Sequence, residues 1–305
     1  MDPSGVSGRK YVSIGLVIED FDAILEIKKN NILSITGDKC DDEIKNFIGK
    51  IICLLNDHFK IHHFYSVVIR NLPPRHSGFG SGTQLALAIS KAYSHINSLS
   101  CSVRELSNII KRGNRSGIGI AGFEFGGFLV DGGKSQAFNL PPPLINRVSF
   151  PDEWRIVLVL QRDKKGLYGK LENQVIESLP FVNKTDSSFL CQETFLKILP
   201  AIIEKNFSLF SEGLTTIQDF MGKLFYVPHG NSYFSSKEVG KLLKWLENNF
   251  ETSVGQSSWG PTGFAFFESN ELAVKALNLA KSKKIINNKI EVVIVKAKNT
   301  GFKIL

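Results

Sequence analysis

The stretch Leu72–Leu87, LPPRHSGFGSGTQLAL, decides how this 305-residue chain is read. A short β-branched strand pattern (Phe64–Ile69) ends at two prolines, and three glycines and two serines follow as a loop poor in side chains. An apolar helical pattern begins at once. A glycine loop that opens a helix leaves backbone N–H groups without intrahelical partners, and the helix dipole adds partial positive charge there. Phosphate groups suit such a place. Glycine also serves turns for conformational reasons alone, so the loop has to be judged with its surroundings.

Upstream, Val12–Ile18 and Ala23–Ile27 read as strands around a hairpin-like Glu19-Asp20 pair. Asp41–Phe59 carries apolar residues at helical spacing, with Asp41 or Asp42 as its cap. Downstream, Thr83–Ile96 reads as a helix, and Ser102–Ile110 as another that opens on a Ser102/Glu105 capping box. Prolines at 141–143 and 151 predict a linker, hence domains over 1–150 and 151–305. In the second domain, Arg155–Leu160, Gly263–Phe267 and Glu291–Val295 read as strands. Helical patterns cover Asp186–Phe225 (broken near Ser208), Ser235–Phe250 and Asn270–Lys284. The alternation makes a mixed α/β protein, without internal repeats or low-complexity segments.

Composition narrows the function classes. With 43% hydrophobic and 22% charged residues, the chain builds a sizeable core. A net charge of +8 fits an anionic substrate. Its lysines sit in dispersed pairs such as Lys28-Lys29 and Lys283-Lys284, and no basic helix interleaved with aromatics argues for nucleic acid. No apolar run reaches membrane-span length and no leader pattern opens the chain, so a cytoplasmic enzyme without a membrane partner is expected. Cys40, Cys53, Cys101 and Cys191 are scattered and predict free thiols. His58 and His62 share helical spacing with His63 beside them, yet no carboxylate matches them, and they read as a solvated helix end.

Two further segments carry chemistry. In Leu106–Gly133, Arg112 and Arg115 flank Gly113, Ser116-Gly117 opens an apolar turn, and Asp131 stands between FLV and two glycines. The arginines offer forked donors for phosphate oxygens. In Ser253–Phe266, Ser257 and Ser258 offer hydroxyls on a small loop, and Trp259 at its centre reads as a packing anchor or a stacking face.

These three segments, in this order, resemble the GHMP superfamily of small-molecule kinases. In detail they are most similar to the archaeal β-ribofuranosylaminobenzene 5′-phosphate synthases, through HSGFGSGTQLALA (76–88), RGNRSGIGIAGFEFGGFLVDGG (112–133) and GQSSWGPTGFAF (255–266). The resemblance covers nearly the whole chain. It implies an α+β, GHMP-kinase-like fold, with a ribosomal-protein-like N-terminal domain and a ferredoxin-like C-terminal domain. It also implies a reaction in methanopterin-type cofactor biosynthesis, joining phosphoribosyl pyrophosphate to 4-aminobenzoate or 4-hydroxybenzoate with loss of CO2 and pyrophosphate.

On that resemblance, Arg75 and the loop Ser77, Gly78, Gly80, Ser81, Gly82, Thr83 and Gln84, together with Mg²⁺, stabilise departing pyrophosphate. His76 protonates the leaving group. Arg112 and Arg115, beside Ser116 and Gly117, take the 5-phosphate or the benzoate carboxylate. Asp131 is a metal or ring-amine partner, and Ser257, Ser258 and Trp259 contact ribose, phosphate or ring.

The chain departs from the pattern at Gly122, where a second alanine is usual, and at Phe79 in place of leucine. It also starts at Met1 where the family's first strand is expected to end, so it reads as short by about one strand of 5–6 residues. An open sheet edge and a basic, aromatic-rich surface fit a homodimer. A kinase acting with ATP is the second reading, against which Gly82 stands where those kinases carry a second serine. An inert binding relative is the third.

Overall fold

The computed structural model describes residues 4–38, 40–135, 137, 140–161, 166, 170–258 and 260–305. Strands β1 (Arg9–Lys10), β2 (Ile14–Leu16), β3 (Ile24–Asn30) and β4 (Ser34–Thr36) lead into helix α1 (Asp42–Phe59). Strand β5 (Phe64–Asn71) is followed by α2 (Ser81–Ile96), α3 (Val103–Ile109) and α4 (Ile118–Phe125). Then come β6 (Phe128–Asp131), β7 (Lys134–Ser135), β8 (Leu144–Val148) and β9 (Arg155–Gln161). Helices α5 (Lys170–Glu177) and α6 (Lys184–Gln192) run into a π-helical turn (Glu193–Ile198), α7 (Leu199–Ile203) and α8 (Phe207–Leu224). The chain closes with α9 (Lys237–Asn249), β10 (Val254–Gln256), β11 (Gly263–Phe267), α10 (Asn270–Ser282) and β12 (Ile290–Val295).

The strongest local signals form as expected. The Asp41 carboxylate accepts the Ile44 N–H at 2.8 Å and starts α1, whose face of Ile44, Ile48, Ile51, Ile52 and Leu55 is buried. Each such side chain contributes about 1.5–3 kcal/mol of burial. The Ser102/Glu105 capping box is present at α3. The break expected near Ser208 falls just before Phe207, where Asn206 caps α8.

Long-range pairing follows no local cue. β2 and β3 do not form a hairpin: β2 pairs with β6, and β3 pairs with β5. Glu19 at their junction donates its N–H to Lys296 O instead. The first half thus holds sheets β2-β6-β8 and β3-β5-β4 and the short pair β1-β7. The second half holds one antiparallel sheet in the order β10-β11-β9-β12. Its helices lie between its first and second strands and between its third and fourth, which is a ferredoxin-like split βαβ arrangement.

The expected linker at 141–151 carries β8, which pairs with β6, and Phe150 and Trp154 are fully buried. Phe150 packs edge-on against Trp154 at 5.2 Å and against Phe266 of β11 at 5.7 Å. The two halves therefore share a core at residue 150. The C-terminal tail also crosses back, with Ala297 bridging Ile18 and Phe302 stacked on Phe123 at 4.7 Å. All four cysteines are free. Among the described residues no helix is long and apolar enough to cross a membrane.

Candidate active site

Strand β5 delivers the chain to the glycine loop. His76, Gly78 and Gly80 all have positive φ, at 55, 85 and 65°, so three left-handed turns fall within five residues. Glycine takes these angles freely, whereas His76 is held there against its preference. α2 starts at Ser81 on Gly80, without a side-chain cap and without an acidic residue in its first turn. A Cβ at Gly80 or at Gly82 would meet nothing within 4 Å. The helix start thus opens onto free space with uncapped N–H groups, as an anion site requires.

Several expected ligand contacts are spent on holding the loop. Ser77 Oγ donates to Arg75 O at 3.2 Å, and Ser81 is buried. Gln84 Nε2 donates to Gly119 O at 2.8 Å, and a Cβ at Gly119 would lie 3.1 Å from the Thr83 methyl. Thr83 and Gln84 therefore dock α4 on the first turn of α2. Phe79 stacks on Phe21 with ring centres 4.5 Å apart, so phenylalanine has a partner there.

The two arginines of the second segment differ. Arg112 follows α3, its guanidinium 4.8 Å from the Phe47 ring centre, and no ion pair to it is found among the described residues. Burial, helped by the nearby Arg75 charge, lowers its proton affinity. Arg115 instead pairs with Glu172 of α5 at 2.6 Å. Arg75 is paired too, its Nη2 2.8 Å from Glu43 in the first turn of α1 and its Nη1 4.0 Å from Asp41. His76 Nε2 lies 3.9 Å from the same Glu43 oxygen.

Asp131 requires a correction. It is fully buried, and both carboxylate oxygens are occupied. Oδ1 accepts from Ser13 N at 3.1 Å and Gly133 N at 2.9 Å; Oδ2 accepts from Ser116 Oγ and Gly117 N, each at 2.8 Å. Burial raises its pKa while these four bonds lower it, and burial dominates. With its acceptor positions filled and no solvent face, it does not fit a metal or a ring amine. Its place is structural: it clamps Ser116 and Gly117, next to Arg115, to Ser13 of the N-terminal segment. Ser116 and Gly117 belong to that clamp. No group of three or more His, Cys, Asp or Glu side chains fit to hold a metal ion occurs among the described residues.

The third segment closes on the first. Ser257 Oγ donates to Gly78 O at 2.6 Å, and a Cβ at Gly78 would stand 2.4 Å from Ser257 O. Gly166 N donates to His76 O at 2.6 Å. Ser257 is thus a tie between loops rather than a free hydroxyl. Ser258 has φ 50°, and its carbonyl accepts from Gln256 Nε2 at 3.2 Å. Trp259 lies outside the described residues. A groove of about 490 Å³ between α1 and β4, lined by Leu33, Ile35, Lys45 and Cys53 among others, shares no residue with these loops.

The three segments named from sequence therefore do meet: the first and third are bonded directly, and α4 joins the second to the first. Sequence reasoning missed Glu43 and Phe47. Phe47 reads only as one apolar position of an amphipathic helix, and Glu43 only as an acidic residue in a first turn.

Comparison with known proteins places this geometry. Residues 46–127 match the GHMP kinases N terminal domain and residues 198–283 the GHMP kinases C terminal domain. The β-ribofuranosylphenol 5′-phosphate synthase of Methanocaldococcus jannaschii is 30% identical over all of this chain and 96% of its own length. The protein of the same name from Archaeoglobus fulgidus is 28% identical over 88% of this chain and 84% of its own. Homoserine kinase from Cytophaga hutchinsonii superposes with a TM-score of 0.69 over 96% of this chain and 91% of that one, at 14% identity. That last likeness shows the fold alone. The chain belongs to the β-ribofuranosylphenol 5′-phosphate synthase family of the GHMP kinase superfamily.

Proposed function

We propose that this protein transfers the ribosyl 5-phosphate of phosphoribosyl pyrophosphate onto the ring of a 4-substituted benzoate. CO2 and pyrophosphate leave, and the product is a C-riboside for methanopterin-type cofactor biosynthesis. The relatives are named for a phenol, which supports 4-hydroxybenzoate as acceptor over 4-aminobenzoate. The observation that carries the reading is the uncapped start of α2, open at Gly80 and Gly82, beside Arg112, which has no carboxylate partner among the described residues.

The chemistry balances without a further reactant. The bond from ribose carbon 1 to pyrophosphate breaks with its electron pair on oxygen. The ring carbon that bears the carboxylate attacks the oxocarbenium-like centre. The bond to the carboxylate then breaks, CO2 leaves, and the pair returns to the ring. The charge that develops on pyrophosphate is what the α2 N–H groups and the Arg75 and Arg112 guanidiniums stabilise. His76 lies at the same loop as a proton donor to the leaving oxygen. Mg²⁺ belongs to this reading as an ion carried on the donor's phosphates, not as one held by Asp131.

The test supplies phosphoribosyl pyrophosphate, 4-hydroxybenzoate and Mg²⁺ without ATP, and follows pyrophosphate. Release that depends on the acceptor is expected. Acceptor-dependent ATP hydrolysis without pyrophosphate release would replace the reading with a kinase, and binding without turnover with an inert relative.

A further inference from the structure

Arg75 and Arg112 bear like charges, and the Arg75 charge adds to the burial that lowers the proton affinity of Arg112. The Arg75 guanidinium is held from α1: Asp41 Oδ1 lies 4.0 Å from its Nη1, and Glu43 Oε1 accepts from its Nη2 at 2.8 Å. The same oxygen stands 3.9 Å from His76 Nε2, whose backbone takes φ 55°. Glu43 projects from the first turn of α1, a helix whose start is fixed by the Asp41 cap, so the carboxylate sits on a rigid support. An ion pair this open to solvent adds little to stability. Its effect is to keep a second cation at the mouth of the glycine loop.

We infer that Glu43 is a positioning residue: it acts through Arg75 to preorganise the pyrophosphate-binding end of the site. This rests on the functional reading above. It also makes a prediction opposite to simple charge counting. Removing a negative charge beside an anion site should tighten binding by Coulomb attraction alone. Removing a positioning group should weaken it.

The experiment measures binding of inorganic pyrophosphate by calorimetry to the full chain and to Glu43→Gln, Glu43→Asp, Arg75→Met and the Glu43→Gln/Arg75→Met pair. Arg75→Met is expected to weaken binding about tenfold and Glu43→Gln about threefold to tenfold, with partial recovery in Glu43→Asp. The double variant is expected to bind no more weakly than Arg75→Met, because a residue that acts through Arg75 has nothing left to act on. Unchanged or tighter binding by Glu43→Gln, or a loss that adds in full to that of Arg75→Met, overturns the inference. Hydrogen exchange of Arg75–Gly80 in the same proteins separates the two levels. If the wild type binds no pyrophosphate, the functional reading fails. Glu43 is then judged on exchange, which Glu43→Gln accelerates if it fixes the loop and leaves alone if it does not.

Discussion

Asparagine in place of Asp131 keeps the shape of the side chain and removes its charge together with one acceptor oxygen. The oxygen that remains is best kept toward Ser13 N and Gly133 N, because neither backbone donor can turn. The new amide NH2 then faces Ser116 Oγ and Gly117 N. The serine hydroxyl can rotate to accept, whereas the Gly117 N–H is left against another donor. One buried backbone donor without an acceptor costs about 1–3 kcal/mol. Alanine leaves the Ser13, Gly117 and Gly133 N–H groups without this acceptor, at about 1–3 kcal/mol for each that stays unpaired, and is expected to cost more than asparagine. In urea, a loss of about 2 kcal/mol moves the unfolding midpoint down by about 0.7 M for a slope of about 3 kcal/mol/M. Burial holds the Asp131 pKa above that of an exposed aspartate, so the folded state binds its proton more tightly than the unfolded one. The stabilisation this proton supplies is complete below about pH 4 and fades as pH rises through the folded pKa. Asp131→Asn that unfolds at the wild-type midpoint yet loses turnover by orders of magnitude would refute the clamp and return Asp131 to the chemistry.

Arg112→Met keeps an unbranched stem on Phe47 while removing the guanidinium. It is expected to lose about 0.5–1 kcal/mol of stability with the cation–π contact, measured by urea unfolding, and about tenfold or more in donor affinity, measured by calorimetry. Gly82→Ala places a Cβ in open space, so helix propensity should raise stability by up to about 0.5–1 kcal/mol while pyrophosphate binding weakens. A gain in both would show that no ligand approaches Gly82. Gly78→Ala forces a Cβ to 2.4 Å from Ser257 O at φ 85°; thermal unfolding should show a loss of about 1–3 kcal/mol as the two loops part.

What sequence conveys here depends on how local each signal is. The α1 cap, the α3 capping box and the β9, β11 and β12 patterns rest on a few neighbouring residues, and they form as expected. The three glycine- and arginine-bearing segments were also legible as stretches set apart from the core pattern, and the fold brings them together. Pairing was not legible: Glu19-Asp20 looks like a hairpin, and Asp20 does take φ 68°, but the partners of β2 and β3 lie far along the chain. Nor was α4, whose glycines argue against a helix until they are seen to serve close packing. A Cβ at Gly119 would stand 3.1 Å from Thr83, and one at Gly122 2.9 Å from Val17. Individual roles were the least legible. Asp131, Gln84 and Ser257 have the chemistry of a site, yet they bond to the protein itself, and only three-dimensional partners reveal that. Glu43 gave the opposite case, a residue without any local mark that the fold carries to Arg75.

The central claim is decided most directly by 4-hydroxybenzoate labelled at its carboxyl carbon, incubated with phosphoribosyl pyrophosphate, Mg²⁺ and the purified protein in the absence of ATP. Labelled CO2 should appear only when the sugar donor is present, one for each pyrophosphate released, and Arg112→Met should suppress both together. Pyrophosphate release with the label retained on the ring, or no release under conditions where acceptor-dependent ATP hydrolysis occurs, would contradict it.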